Sequence, residues 1–522
     1  MLQGILPNGK QQFLNTNGGV LAGGFVYYYI PSTTTFKNTY QDDAGINLNT
    51  NPIVLDANGQ CVAYGQGSYR QQVKDVNGNL IWDVQIDSPA TQSDLSSFEN
   101  SLLASSGSSL VGYNEGGSGA TTTTVQAKLR QIVSVKDFGA VGDGTTDDTS
   151  AIQAAINSIS SAGTLDFPNG GTYKITSTLT VGSSSILFNG NQSTILIASN
   201  MTYGVNLGGV NCEFHNFGFS KSNGVTVTAC IYATGLQHVF KNITSRSQVW
   251  PIFFLGQDLK ESHFSEIRVD NDPSGYTGII FKFDYCVNNT MSDSMLGYCA
   301  QAFYGSSTGQ PTYGYHNEGF LLTNIIVVFA GQAVNFDNGT YIAIDNCIFD
   351  FTETQGVFVS NGHSLSVKNT WIASNVTNGF IGVGTLSGVY NAQVHGCTFV
   401  RGASAITGTV GVSLSGTNAT VIGNAFISGM NGGTVTDATS QVFGNTLTGG
   451  GTNIVANNTS SSILGSLNVS ATITSNGSQG IFPLSLSGSA TLGSNGALPA
   501  QVAGYALVNI SGTNYKIPYY NV

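Results

Sequence analysis

Apolar and polar positions recur in a fixed order from about residue 200 to residue 458. The unit reads apolar–x–(Asn, Asp, Glu or Gly)–x–x–apolar. It runs Phe214-His215-Asn216 through Phe219, then Phe264-Ser265-Glu266 through Val269. It returns as Met291…Asp293…Leu296, Leu322…Asn324…Val327, Ile344…Asn346…Phe349, Val367…Asn369…Ile372, Val394…Gly396…Phe399, Val421…Gly423…Phe426 and Val442…Gly444…Leu447. A degenerate copy, Phe240-Lys241-Asn242, ends on Ser245 instead of an apolar residue. Successive anchors (216, 242, 266, 293, 324, 346, 369, 396, 423, 444) fall 21 to 31 residues apart. Such a period in β-type residues predicts a solenoid, each repeat being one coil that buries its apolar face only against its neighbours. Asn, Asp and Gly tolerate the left-handed backbone region, so the anchors suit turns. The expected fold class is all-β, a stacked parallel β-helix. A β-propeller would need regular blades of about 40–50 residues, which this spacing does not supply.

The flanks follow other patterns. Residues 1–88 alternate in strand fashion ("GGFVYYYI") and break at "DANGQ" (Asp56–Gln60) and "DVNGNLIWD" (Asp75–Asp83), where Asn-Gly between apolar runs signals hairpins. In residues 89–131, Leu95, Phe98 and Leu102 stand at helical spacing, with Ser93 or Asp94 as N-cap. That helix is too short and narrow to stand alone, which predicts bundling with copies of itself. A Gly/Thr linker, "GYNEGGSGATTTT", and a second short segment, "VQAKLRQIV", follow. Beyond about 460 the repeat stops, and "AGYALVNISGTNYKIPYYNV" reads as a hairpin around "ISGTN" in a terminal cap or assembly unit, residues 461–522. The solenoid proper is assigned to 132–460.

Composition and charge narrow the function classes. The chain has 522 residues, 67 of them glycine, and only 9% are charged, while the apolar fraction of 41% argues against disorder. A net charge of −11 excludes nucleic acid as an expected partner. No apolar stretch approaches a membrane span, and the N-terminus lacks a signal-peptide pattern. Seven scattered cysteines, never in CxxC spacing, read as small buried thiols, so neither metal nor other cofactor is expected.

The densest acidic stretch is "VKDFGAVGDGTTDDTSAIQAAI", Val135–Ile156. Thr146 or Asp147 is expected to cap a helix carrying Ile152, Ala155 and Ile156 on one face. Acidic residues at that helix start complement its dipole, and Gly142 and Gly144 permit a tight turn, so a structural role is favoured over catalysis. Within this stretch, "DFGAVGDGTTDDTSAIQAAI" resembles the opening motif of pectate-lyase-superfamily β-helices. Together with the preceding "SSLVGYNEGGSGATTTTVQAKLRQIV", it is similar to the junction between the head-binding and β-helical parts of bacteriophage tailspikes. Residues 23–82 resemble a podophage particle-binding domain, and the last 25 residues a closing segment of phage tail proteins. The resemblance implies a right-handed β-helix in a homotrimer on a virion. It implies attachment through residues 1–88 to tail or connector proteins, and binding, often cleavage, of host capsule or O-antigen. It transfers no catalytic set.

Candidate chemistry is therefore read from the repeats. Glycosidic cleavage uses two carboxylates about 5–9.5 Å apart, and adjacent coils stack at about 4.8 Å. Asp350 and Glu353 lie four and seven places beyond anchor Asn346, where its strand is expected to end, and Asp337 precedes that anchor by nine. Asp284 precedes Asp293 by the same offset, two coils away. Asp350, Glu353 and Asp337 are the expected catalytic set, weighed against a solvated outer turn. The longest repeat makes a loop with Tyr304, Tyr313, Tyr315, His316 and Glu318 as expected sugar contacts. Ile326, Ile348 and Trp371 each lie two places past an anchor and point outward. Trimer packing is the favoured cover for them, with carbohydrate stacking on Trp371 as the second reading. Arg246 and Asp270 share an offset and predict a stacked salt bridge. Two functions fit: a depolymerase acting by glycoside hydrolysis (or as a lyase), and a non-catalytic receptor-binding spike.

Overall fold

The computed structural model describes residues 4–87, 92–168, 170–246, 248–271, 275–306, 317–374, 379–386, 389–402, 409–436, 440–449, 454–456, 504–510 and 513–519. The chain divides into two compact units, Met1–Leu464 and Gly465–Val522.

Near the N-terminus, strand Phe25–Tyr29 pairs antiparallel with Ile53–Val54 and Ser68–Lys74, and the latter pairs with Leu80–Asp87. Gly4–Gln12 pairs with Gln60–Gly65. Both expected turns form, but only the one at Asp75 closes a hairpin, because the strands on either side of Asp56 pair into different sheets. The Asp56 carboxylate accepts from the Asn58 and Gln60 amides, and Asp75 does the same for Asn77 and Asn79. Such aspartate caps hold the turn while glycine takes the positive φ, +65° at Gly59 and +83° at Gly78. Phe13, Tyr28, Tyr69 and Val73 form a core separate from that of the solenoid.

Helix α1 (Gln92–Leu103) carries Leu95, Phe98 and Leu102 exposed, so its apolar stripe is uncovered within one chain. It starts one residue before Ser93, which places Ser93 and Asp94 in its first turn and not at the cap. Helix α2 (Val125–Leu129) is capped by Thr124, whose hydroxyl accepts from the Ala127 amide at 3.1 Å.

Helix α3 (Thr149–Ser158) buries Ile152, Ala155 and Ile156 in the solenoid core. The carboxylates before it are structural, but the cap differs from the expectation. Asp148 occupies the N-cap position and turns its side chain back to accept from the Val141 and Gly142 amides, at 2.6 and 3.0 Å. Asp147 accepts from the Thr149 amide and the Thr176 hydroxyl, and these bonds outweigh burial to hold its carboxyl low. Amide bonds from Thr146 and Thr145 hold Asp143 well below the usual carboxylate range.

From there the chain coils through about ten turns of parallel β-helix. Three sheets run along it. Sheet A holds the three residues ahead of each anchor gap, such as Thr290–Ser292, Leu321–Thr323 and residues 343–345. Sheet B follows the anchor, with residues 295–297 paired to 326–328 and 348–350. Sheet C comes after a further bend and carries Ile279–Asp284, residues 301–306, 332–336 and 355–359. All ten anchors adopt the left-handed conformation, with φ between 49° and 67°. Their side chains ladder: Asn346 donates to Asn324 at 2.6 Å, and Asn324 to Asp293 at 3.1 Å.

Inside, Phe188, Phe214, Phe240 and Phe264 stack with centroids 4.2, 5.5 and 5.0 Å apart. The degenerate coil is explained by its neighbour. Ser245 is buried and accepts the Trp250 indole N–H at 2.8 Å, and Trp250 supplies the missing apolar bulk. All seven cysteines are buried and free. In the second unit, Gly504–Ile510 and Thr513–Tyr519 form the expected antiparallel hairpin.

His238 reports on coil packing. Its Nδ1 accepts from the Cys212 amide at 3.1 Å, so the ring proton sits on Nε2, 3.0 Å from the Thr234 carbonyl. Burial pushes its pKa below the ordinary 6.5. A lowered histidine pKa favours the neutral form in the fold, so its contribution is full above pH 6.5 and is lost as pH falls towards the folded value. Calorimetry between about pH 7.5 and 5 should show the melting temperature falling with pH, and His238→Gln should flatten that slope.

Candidate functional site

At the exit of sheet C, four side chains from three successive coils converge. Lys282 and Asp284 alternate outward on strand Ile279–Asp284, and Nζ lies 3.1 Å from Asp284 Oδ2. In register, Lys282 faces Tyr304 and Asp284 faces Ser306 on the next coil. Tyr304 then faces Asn335, and its hydroxyl donates to Asp337 Oδ2 at 2.8 Å. Asp284 and Asp337 thus lie two coil steps apart, about 10 Å between Cα atoms at ~4.8 Å per step.

This array is partly desolvated. The side chains of Lys282 and Asp284 are only 21% and 14% exposed. Burial, then the bond and charge of Asp337, push the Tyr304 phenol up. Two buried acceptors, Asp284 Oδ1 and Asn335 Oδ1, have no hydrogen-bond donor among the described residues. Both atoms have almost no accessible surface, so an external hydroxyl reaches them only when a neighbouring side chain moves. Beside them runs an amide ladder, Gln301 to Gln332 to Gln355, each bond 2.5 Å, with Asn335 donating to Gln332 at 3.1 Å. Glu318 comes to the same edge. Its neighbour Asn317 bonds the Phe283 and Ser306 carbonyls through its side chain and the Asn338 carbonyl through its amide.

Asp350 and Glu353 stand elsewhere. Their strand does not end as expected: Ile348–Val359 bends at Phe351, in the left-handed region at φ 53°, and continues from sheet B into sheet C. Asp350 accepts from the Phe351 amide at 3.1 Å, and both carboxylates are half-buried. Glu353 sits near Tyr276, whose phenol is pushed up by burial and then by that carboxylate and Tyr298. This corner opens sheet C and Asp337 closes it, six residues along the strand, or about 20 Å at ~3.3 Å per residue. The three expected acids therefore divide into two places. Asp337 comes together with Asp284 and Tyr304, Glu318 lies three residues further along, in register with Val287 and Thr340, and Asp350 comes together with Glu353. Tyr313, Tyr315 and His316 lie outside the described residues.

Trp371, Ile348 and Ile326 point outward in one register column, which Met295 extends. They are 37–50% exposed. The expected Arg246–Asp270 ion pair is not formed. The two side chains line one pocket with Arg268, and Arg246 has no ion-pair partner among the described residues. Sequence reasoning passed over Lys282, Asn335 and a stack at the B–C bend, Tyr298–Phe329–Phe351, with centroids 5.0 and 4.9 Å apart. A signal existed for that stack, since each member lies five residues past an anchor (293, 324, 346).

Comparisons with known proteins bear on the fold that carries these residues. Residues 132–381 match the model of a family described as rhamnogalacturonase A/epimerase, pectate lyase-like. The chain is similar to the tail spike protein of Shigella phage Sf6, 23% identical over 311 residues, which cover 53% of this chain and 48% of that protein. A second match, the tail spike protein of an Escherichia phage, is 44% identical over 71 residues, 14% of this chain and 8% of that protein. The chain thus spans about half the length of the first curated relative and less of the second. Among solved structures, a double mutant of the tailspike protein of E. coli bacteriophage HK620 superposes with a TM-score of 0.51 at 14% identity. That match covers 68% of this chain and 73% of that one, and at this identity it speaks for the shared fold.

Lys282→Met removes the cation from a largely buried pair and leaves Asp284 unpaired. Thermal or urea unfolding at neutral pH should show a loss of about 3 kcal/mol.

Proposed function

We propose that this chain is the tailspike with which a bacteriophage attaches to a surface polysaccharide of its host, capsule or O-antigen, and degrades it by glycoside hydrolysis. The observation that carries this reading is the exit of sheet C, where Asp284 and Asp337 stand in one column two coils apart, beside Lys282, Tyr304 and Asn335. Sugars supply hydroxyl donors in rows, and an extended β-helix face offers matching rows of acceptors. The tailspike relatives support the same reading.

Asp337 is the proposed centre of the chemistry, with Asp284 as the second carboxylate. At about 10 Å between Cα atoms, rotamers can bring the carboxyl groups into the range of about 6.5–9.5 Å that inverting hydrolysis uses to seat a water. In that role one carboxyl protonates the leaving oxygen while the other draws a proton from the water. Tyr304 holds Asp337 in place. Asp350 and Glu353, with Glu318, are retained as proposed groove residues that contact other sugars of a long chain, with sugar stacking on Trp371 as the alternative to its packing between copies; Tyr313, Tyr315 and His316 keep their proposed role as sugar contacts.

The assembly proposal follows from uncovered apolar surface. The stripe on α1 and the column Ile326, Ile348 and Trp371 fit packing between copies in a homotrimer. Residues 1–88 are proposed to bind the virion, 89–131 to form the neck, 132–460 to bind and cleave, and 461–522 to close the assembly.

Reducing-end release from host polysaccharide tests the chemistry. Asp337→Asn and Asp284→Asn should each lower the rate at least about a hundredfold with binding retained. Asp350→Asn with Glu353→Gln should lower it less; the reverse order would move the centre to the B–C corner. Products bearing an unsaturated uronate would mean a lyase, and binding without any product a receptor-binding spike alone. For assembly, Ile348→Asp with Trp371→Asp should shift the mass measured by light scattering from three chains towards one.

A further inference from the structure

A second surface lies on sheet B, outside the proposed catalytic array. A pocket of about 80 Å³ is lined by Arg246, Arg268, Asp270, Met295, Tyr298 and Val328, among others. Thr244 pairs in register with Arg268, so Arg246, two residues on, is the diagonal neighbour of Arg268 across adjacent coils. Neither guanidinium has an ion-pair or side-chain hydrogen-bond partner among the described residues. With Asp270 also lining it, the pocket carries a net charge of +1 in a chain of −11 that has only 17 lysines and arginines. The register brings Asp270 opposite Arg246 and offsets one of the two cations, so one positive charge is left for a bound anion to balance.

Tyr298 joins this pocket to an aromatic run. It stacks on Phe329, and Phe329 on Phe351, with interplanar angles of 11° and 9°. Each of the three has a positive φ, 51°, 53° and 53°, a conformation that bulky side chains avoid and that Asn or Gly would adopt freely. Three successive coils keep an aromatic ring there against its backbone cost. Phe351 remains 39% exposed, so ring surface is open to a ligand.

We propose that the arginine pocket and the aromatic run form a subsite for an acidic sugar. A carboxylate or phosphate on the sugar would be held by Arg246 and Arg268, with flanking sugar rings against Tyr298, Phe329 and Phe351. This rests on the polysaccharide-binding reading above and adds the substrate class: an anionic polysaccharide. Guanidinium groups match both oxyanions in geometry, so the two sources are separated by experiment.

The test uses the full chain and surface polysaccharides extracted from a panel of encapsulated bacteria, with binding read by interferometry. Each bound polysaccharide is measured native, after carbodiimide–borohydride reduction of its carboxyls, and after removal of phosphate with hydrofluoric acid. The expected result is that one treatment, and the double variant Arg246→Gln/Arg268→Gln, each weaken binding about tenfold or more, and that the variant flattens its salt dependence. Unchanged melting and circular dichroism would show that the variant is folded; if it is not, Arg268→Gln alone carries the same expectation at about threefold. A neutral bound polysaccharide, or a folded variant with undiminished affinity, overturns this inference and leaves the polysaccharide reading standing. Binding to none of the panel overturns both.

Discussion

Each coil of the solenoid buries its apolar face only against the coils above and below it, and the rest of the structure depends on that constraint. A coil can close only if the backbone turns sharply between sheets A and B, and a left-handed residue makes that turn. Asparagine, aspartate, glutamate or glycine fills it ten times, with φ confined to 49–67°. Aligned turns put identical positions in register, so phenylalanines stack inside and polar side chains ladder outside. The first coil has no neighbour on its open side. Helix α3 covers it, and this is why the densest carboxylates in the chain are structural: Asp148, Asp147 and Asp143 hold the loops that seat the helix.

Much of the fold was legible because its signal is periodic. Ten anchors read from residue type alone all adopt the left-handed turn that their positions call for. The turns at Asp56 and Asp75, and the buried face of α3, were legible for equally local reasons. Helix starts were not. Ser93 and Asp148 show that a polar residue near a helix start can serve inside the first turn, or turn its side chain elsewhere, and composition does not distinguish these.

The site was legible only in part, because contacts across coils depend on where each strand bends. Asp284 and Asp337 share an offset and do fall in one column. Asp350 and Glu353 looked like the end of a strand, but the left-handed residue between them carries the strand round a corner. Lys282 and Asn335 belong to no motif. They matter only because parallel register places Lys282 beside Tyr304, and Tyr304 beside Asn335. A residue with no local signature acquires its role from the coil before it.

The bends at the anchors and at Tyr298, Phe329 and Phe351 give the coil three flat sides that meet at fixed edges. Inward positions on all sides answer to one shared core, whereas outward positions on one side have no mechanical link to those on another. A single coil can therefore address separate surroundings at once, an apolar column on one side and a row of hydrogen-bonding groups on the next. Exchanging outward residues on one side alters what that side recognises without disturbing the others. Recognition can then drift side by side and coil by coil, in increments set by the stacking distance, on a core that stays the same.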